Sequence, residues 1–247
     1  MTLPDFFTAH PRAALAFSGG TDSAWLLYAA MKLGADVRPY FVKSQFQPEF
    51  ELRDAQRLCD ELGSELTVIE LDILGCEQVR LNPADRCYHC KSRLFSALTE
   101  RAARDGYALV IDGTNASDPE ADRPGMRALR EMGVRSPLRE CGITKDEVRR
   151  LSREAGLFTA GKPSYACLAT RIPSGTAITA EDLRRVEGAE DALFSLGFSD
   201  LRVRLHSGAA RLQLRAEQMP RALERRADIL RLLRPYFDTI LLDMDER

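Results

Sequence analysis

Ala14-Leu15-Ala16-Phe17-Ser18-Gly19-Gly20-Thr21-Asp22-Ser23 joins a short apolar run to a turn of small residues, and a helical pattern over Ala24–Leu33 follows directly. Paired glycines reach backbone angles closed to other residues, so main-chain N–H groups can converge on an anion. Ser18, Thr21 and Ser23 add hydroxyl donors, and the dipole of the following helix favours a phosphate at its N-terminus. The stretch therefore predicts a phosphate cradle at the end of a strand. It is not a Walker loop, because the Gly-Lys-Ser/Thr ending is missing and the turn holds no lysine to reach terminal phosphates. Asp22, an acid inside an anion site, fits a divalent cation that bridges phosphate oxygens.

Outward from this turn, strands alternate with helices. Val37–Val42 reads as a second strand, and a helix is predicted over Glu49–Leu62, where Phe50, Leu52, Ala55, Leu58 and Leu62 keep helical spacing. Leu66–Leu71 and Tyr107–Asp112 read as a third and a fourth strand with a helix over Lys91–Arg104 between them, and Val134–Leu138 as a short fifth. This alternation predicts an α/β fold, a parallel twisted sheet of about five strands with helices on both faces. Ligands of such sheets bind beyond the carboxyl ends of the strands. The glycine turn lies at one such end and Asp112-Gly-Thr-Asn115-Ala-Ser-Asp118 at another, so Asn115 and the acids beside it can reach the same nucleotide or metal; a plain polar loop fits the pattern as well.

Further on, Thr144-Lys-Asp-Glu147 fits a capping box that opens a helix over Lys145–Ala155. The segment Gly161-Lys-Pro-Ser-Tyr-Ala-Cys167-Leu-Ala-Thr-Arg171-Ile-Pro-Ser-Gly175 is punctuated by proline and glycine, and the domain boundary is expected in or just after it. Residues 1–165 then form the nucleotide domain and 166–247 a small α+β domain. The latter is expected to hold a helix over Ala180–Leu196, a hairpin of Leu201–Leu205 and Ala210–Leu214, a helix over Gln218–Leu233 and a last strand, Thr239–Asp243. Arg202 and Arg204 alternate onto one face of that hairpin, where they suit a bidentate grip on phosphate or a plain solvated face.

Length and composition bound the class. At 247 residues the chain can form one large or two smaller domains with a substantial core. Hydrophobic residues make up 45% and charged residues 29%, the balance of an ordinary globular protein. No apolar run approaches a membrane span, and the first residues, MTLPDFFTAHPRAALAF, lack the basic start and long apolar core of a signal peptide, so a cytoplasmic location is expected. With 35 basic against 37 acidic residues the formal net charge is −2, which gives no general attraction to nucleic acid or an anionic membrane. Six cysteines in such a chain point to metal, cluster or catalytic use for some of them rather than to a disulfide framework.

Cys87-Tyr-His-Cys90 stands at the start of a helix, and its spacing alone suits a zinc site, a redox pair or half of a cluster site. Structural zinc wants four protein ligands, and no second Cys-x-x-Cys exists here. Cys167 is the natural third thiolate, and three cysteines can hold a 4Fe–4S cluster with one iron left open. Arg171, four residues on, suits a thiolate neighbour, a phosphate ligand or a surface arginine.

SGGTDS, set between strand and helix, resembles the PP-loop of the ATP pyrophosphatases, which cut ATP between its α and β phosphates to adenylate a substrate. Taken in order, SGGTDS, RCYHCKSRLF, DGTNASD, RSPL and KPSYACLATRIPSG resemble the LarE family of ATP-dependent sulfur transferases over nearly the whole chain. The resemblance implies ATP and Mg²⁺ as cofactors, with Ser18, Gly19, Gly20, Thr21, Asp22, Ser23 and Asn115 at the nucleotide and Asp22 on the metal. It implies a small-molecule substrate, pyridinium-3,5-biscarboxylic acid mononucleotide, whose carboxylates become thiocarboxylates for the nickel-pincer cofactor of lactate racemase and related enzymes. Family members follow two routes. In one, the cysteine at the position of Cys167 gives up its sulfur and is left as dehydroalanine; in the other, three cysteines hold a 4Fe–4S cluster that passes on a bound sulfide, and Cys87, Cys90 and Cys167 match that set. The resemblance places Arg202 and Arg204 at the substrate phosphate, and Arg171 is a further candidate for the same role. Glu190 resembles a family metal-site acid, although an exposed helical glutamate fits the pattern better, and Gln213 stands where the family places a further acid. A homo-oligomer is implied, with a hexamer as the form suggested.

Two other readings fit parts of the chain. PP-loop enzymes that thiolate tRNA also carry three cluster cysteines, but call for a strongly basic face or an added RNA-binding domain. A non-catalytic nucleotide-binding protein with structural zinc explains the cradle but leaves the Cys167 segment without a purpose.

Overall fold

The protein's computed structural model describes residues 1–119 and 124–246. These divide into two units, Met1–Ile73 with Asp85–Lys162, and Leu74–Ala84 with Pro163–Arg247. Along the chain run α1 (Leu3–Ala9), β1 (Arg12–Ala16), α2 (Thr21–Lys32), β2 (Asp36–Lys43), α3 (Glu49–Leu62), β3 (Thr67–Glu70) and α4 (Glu77–Arg80). There follow α5 (Arg86–Arg104), β4 (Val110–Asp112), α6 (Pro124–Glu131), α7 (Pro137–Glu140) and α8 (Lys145–Glu154). The remainder is α9 (Ala180–Ser195), β5 (Arg202–His206), β6 (Ala209–Gln213), α10 (Met219–Glu224), α11 (Arg226–Leu233) and β7 (Ile240–Leu242). No described helix is long and apolar enough to cross a membrane.

The first unit is built on a four-stranded sheet in the order β3-β2-β1-β4, parallel throughout. A parallel strand in mid-sheet buries both faces, which is why β1 is apolar at every position from Ala13 to Ala16. Period-two alternation sends Ala13 and Leu15 into a core with Phe7, Leu26, Leu27, Phe41 and Leu58, and Ala14 into a second core with Tyr40, Leu98 and Ala102. Helices therefore cover both faces, as the alternation predicts. The expected fifth strand is a single bridge instead: Arg135 pairs with Ile111, and the chain then turns into α7. Pro137 has no amide to extend a ladder and suits the first turn of a helix, so the strand stops there.

The second unit is discontinuous in sequence. Its three-stranded sheet has the order β5-β6-β7, with β5 and β6 antiparallel and β6 and β7 parallel. Ser207 and Gly208, at φ 49° and 82°, make the tight two-residue turn between β5 and β6. α9 packs on β5 and on α11 through a buried stripe of Leu183, Val186, Ala189, Glu190 and Leu193. Residues 74–84 form a strap in this unit. Arg80 O accepts Ile178 N at 2.8 Å, Asn82 O accepts Gly175 N at 2.8 Å, and the Asn82 side-chain amide donates to Pro173 O at 2.8 Å. The helix expected over 218–233 is two, α10 and α11, parted at Arg225, whose ψ of 15° breaks the helical run.

Candidate functional site

In the first unit β1 has β2 on one side and β4 on the other. The chain thus reverses direction across the sheet at β1, and the crevice beyond the strand ends lies between the turn after β1 and the loop after β4. Gly19 takes φ +67° and packs on α3, where an added Cβ would lie 3.1 Å from Ala55 N, so both angle and space call for glycine. Gly20 is the N-cap of α2. The helix starts three residues before the sequence pattern suggests, so Thr21, Asp22 and Ser23 present first-turn amides that have no partner inside the helix.

The hydroxyls do different work from the amides. Ser23 Oγ donates to Gly20 O at 3.2 Å and accepts from Ser18 N at 3.3 Å, with Ser18 Oγ 3.2 Å away, so the two serines shape the turn. Thr21 is buried and its hydroxyl donates to Thr159 O at 2.8 Å. The expected ligand-facing hydroxyl of Thr21 is thus a tie to the 3-10 turn at Phe158–Gly161.

The loop after β4 closes on this turn. A Cβ on Gly113 would lie 2.9 Å from Ser23 N, backbone against backbone. Gly113→Ala is expected to push the loop off α2 at a cost of about 1–3 kcal/mol, read as a lower urea midpoint; an unchanged midpoint would show that the loop yields freely. Asn115 Nδ2 donates to Asp22 Oδ1 at 3.3 Å. Asp112 is occupied in holding the loop, accepting from Thr114 Oγ1 at 2.6 Å and Ser136 Oγ at 2.7 Å.

Two residues reach the cradle that the local motif does not contain. Lys145, at the start of α8, places Nζ 2.5 Å from Asp22 Oδ2, and Lys162 places Nζ 3.3 Å from Gly19 O and 2.7 Å from Asp54 Oδ2. They lie 123 and 143 residues along the chain from their cradle partners, which hid them from a motif-based reading. A lysine in a helix's first turn opposes the dipole, and that mismatch at Lys145 was the available sign.

Cys87 and Cys90 occupy the first turn of α5, three residues apart and so on one face of the helix. Cys87 is exposed and Cys90 buried. The buried Arg86 lies over the Phe46 ring at 6.0 Å and donates to Cys87 Sγ at 3.6 Å, giving that sulfur a cationic partner. Tyr88 donates to Glu131 Oε2 at 2.6 Å beneath Arg127, which ties this turn to α6. No disulfide forms among the described residues.

In the second unit Cys167 heads a 3-10 turn, Leu168–Arg171. Its carbonyl, not its side chain, caps the turn by accepting from Thr170 N at 3.0 Å and Thr170 Oγ1 at 2.9 Å. Arg171 is 1% exposed, which removes the surface reading. Its Nε and one terminal nitrogen bond the two oxygens of Glu190 at 2.8 and 3.1 Å, and the other terminal nitrogen donates to Ala166 O at 2.8 Å. The expected exposed Glu190 is 1% exposed, and it also accepts from Val203 N at 2.9 Å and from the Tyr165 hydroxyl. With both oxygens so engaged, Glu190 serves as an ion-pair partner where the resemblance implies a metal ligand. Burial, with Glu190 adding to it, raises the Tyr165 pKa, so the phenol stays a donor.

Arg202 and Arg171 stack on the Tyr165 ring at 4.9 and 4.4 Å. Arg202 donates to Leu201 O at 2.7 Å and Ser164 O at 3.0 Å; Arg204 donates to Gln213 Oε1 at 2.5 Å and Thr170 O at 2.6 Å. Those partners are neutral. Burial, then repulsion from Arg171, pushes Arg202 down to about 10, and the same causes lower Arg204, yet both remain cationic at neutral pH. Among the described residues no group of three or more His, Cys, Asp and Glu side chains is gathered for a metal ion. Asp22 as a lone carboxylate still suits Mg²⁺, which is commonly held by one or two carboxylates together with substrate phosphates.

No protein-family profile matches the chain. It is 40% identical over 219 residues to an uncharacterised protein of Synechocystis, covering 88% of this chain and 81% of that one. It is 37% identical over 205 residues to a pyridinium-3,5-bisthiocarboxylic acid mononucleotide synthase of Lactiplantibacillus plantarum, covering 82% of this chain and 74% of that enzyme. To a tRNA-specific 2-thiouridylase of Thermotoga petrophila it is 25% identical over 195 residues, 61% of this chain and 54% of that enzyme. A parallel sheet with a glycine turn between its central strand and a helix defines an α/β protein of the PP-loop fold. Within that class the chain belongs to the LarE family, whose representative here is the Lactiplantibacillus synthase, and its relatives of assigned activity are enzymes.

Proposed function

We propose that the chain is an ATP-dependent sulfur transferase that converts the carboxylates of pyridinium-3,5-biscarboxylic acid mononucleotide to thiocarboxylates on the way to the nickel-pincer cofactor. The observation that carries this reading is the 37% identity to the Lactiplantibacillus synthase across 74% of that enzyme. A carboxylate resists nucleophilic attack, so one of its oxygens first displaces pyrophosphate from the α phosphate of ATP, and a sulfur nucleophile then displaces AMP. The first-turn amides of Thr21, Asp22 and Ser23 hold phosphate oxygens, with the dipole of α2 behind them. Asp22, with Asn115 donating to its Oδ1, would hold the divalent cation, and Mg²⁺ there would offset charge on the transferring and leaving phosphates. Arg202 and Arg204, cationic and paired only with neutral oxygens in the bonds described above, receive the substrate phosphate. Arg171 fixes the backbone at Ala166 beside Cys167.

The sulfur comes from the cysteine set. Cys87 and Cys90 on one turn of α5, with Cys167 as the third thiolate, fit the donor chemistry of a 4Fe–4S cluster, which when bound supplies a sulfide at its open iron. Anaerobic purification with iron and sulfide analysis, then one ATP-dependent turnover and an intact-mass measurement, tests this. Iron with an unchanged protein mass is expected. No iron and a mass loss equal to H₂S would move the sulfur source to Cys167 alone, and zinc with no ATP turnover would sink the transferase reading. The thiouridylase relative supports tRNA thiolation as a second reading, but the chain spans about half of that enzyme and its net charge of −2 supplies no excess for RNA.

A further inference from the structure

Asp22, the acid of the cradle, has two described partners, Lys145 Nζ on Oδ2 and Asn115 Nδ2 on Oδ1. Both are donors, and a cation already stands where a metal would. The pair is reachable, since 24% of the Lys145 side chain and 23% of the Asp22 side chain are exposed. The root of Lys145 is fixed. It opens α8 behind a Thr144–Glu147 capping box, and its own amide donates to Ser117 Oγ at 3.0 Å. A fixed root and a four-carbon stem let the ammonium swing without moving the helix. Helix stability gives no reason for a lysine at this place, where the dipole favours an acid and Asp146 and Glu147 already supply two. Lys162 differs, because its carboxylate partner is Asp54 and not the metal-site acid.

We propose that Lys145 is a resident counter-cation of the cradle: it neutralises Asp22 while the site is empty, and it transfers to the β and γ phosphates when Mg²⁺ and nucleotide arrive and Asp22 passes to the metal. This rests on the ATP reading above. The exchange solves an electrostatic problem, because an unpaired Asp22 would repel the phosphates the cradle is shaped to take. It also makes nucleotide binding depend on the metal, since phosphate without Mg²⁺ has to take Lys145 away from a bare carboxylate.

The test uses the full chain as wild type, Lys145→Met, Lys145→Gln and Lys145→Arg, each with its melting temperature recorded. The two neutral variants guard against a folding failure in either. Mn²⁺ alone is titrated by electron paramagnetic resonance, and α,β-methylene-ATP with Mg²⁺ by calorimetry. In the neutral variants Mn²⁺ alone is expected to bind more tightly, while the analogue binds roughly 10–100-fold more weakly, the loss of one charge-assisted hydrogen bond. Lys145→Arg is expected to recover most of the analogue affinity. A merely structural lysine would move both constants in the same direction. Analogue binding by wild type and by the neutral variants alike would overturn the proposal and leave the ATP reading standing, whereas no analogue binding by wild type would overturn both.

Discussion

Cys167→Ala is expected to abolish thiocarboxylate formation while pyrophosphate is still released and AMP stays on the activated carboxylate. The structure separates the two outcomes because the side chain of Cys167 is not what caps its turn. The carbonyl of Cys167 takes the two bonds from Thr170, and Arg171 holds Ala166 O from the other side, so alanine preserves the backbone. Thr21, Asp22 and Ser23, the groups proposed to bind ATP, belong to the other unit. Product mass and pyrophosphate release, measured on the same sample, check it. Loss of pyrophosphate release together with thiocarboxylate would mean that Cys167 acts before the sulfur step. Cys87→Ala divides the routes: it should abolish product if a cluster carries the sulfur and largely spare one turnover if Cys167 gives up its own.

Glu190→Ala is the largest expected loss of stability. It leaves the Arg171 guanidinium, 1% exposed, without its carboxylate, and strips an acceptor from Val203 N and from the Tyr165 hydroxyl. Breaking a buried pair from one side costs about 3–5 kcal/mol, against the roughly 5–15 kcal/mol that a typical domain has in total. A urea or thermal melt reads this directly. The paired replacement Arg171→Met with Glu190→Leu is expected to be more stable than Glu190→Ala, because removing both charges together leaves none stranded. A double variant no more stable than the single one would show that the cost lies in packing rather than in the orphaned charge.

The parts of this molecule that could be read in advance are those whose information is contiguous. β1, the glycines and Asp22 lie within ten residues, and their angles and donors are local chemistry. Sheet and helix alternation followed from periodicity, and it failed where a single residue outweighed the pattern, as Pro137 did in ending the fifth strand at one bridge. The cradle lysines were hidden by separation along the chain. Glu190 was hidden differently. It follows Leu183 and Val186 and precedes Leu193 at spacings that place it on the buried face of α9, so a carboxylate in register with an apolar stripe was the sign of a buried partner. Arg171 likewise sits among the buried Leu168, Ala169 and Ile172.

The strap of residues 74–84 bears on how such a protein can be inherited. A copy of 163–247 alone would lack the carbonyls of Arg80 and Asn82 that receive Ile178 and Gly175, and the Asn82 amide that holds Pro173. A single crossover cannot lift out either unit whole, because any cut between them in sequence severs at least one of the two. One crossover therefore cannot exchange the unit proposed to bind ATP without cutting into it or into the unit that carries Arg202 and Arg204.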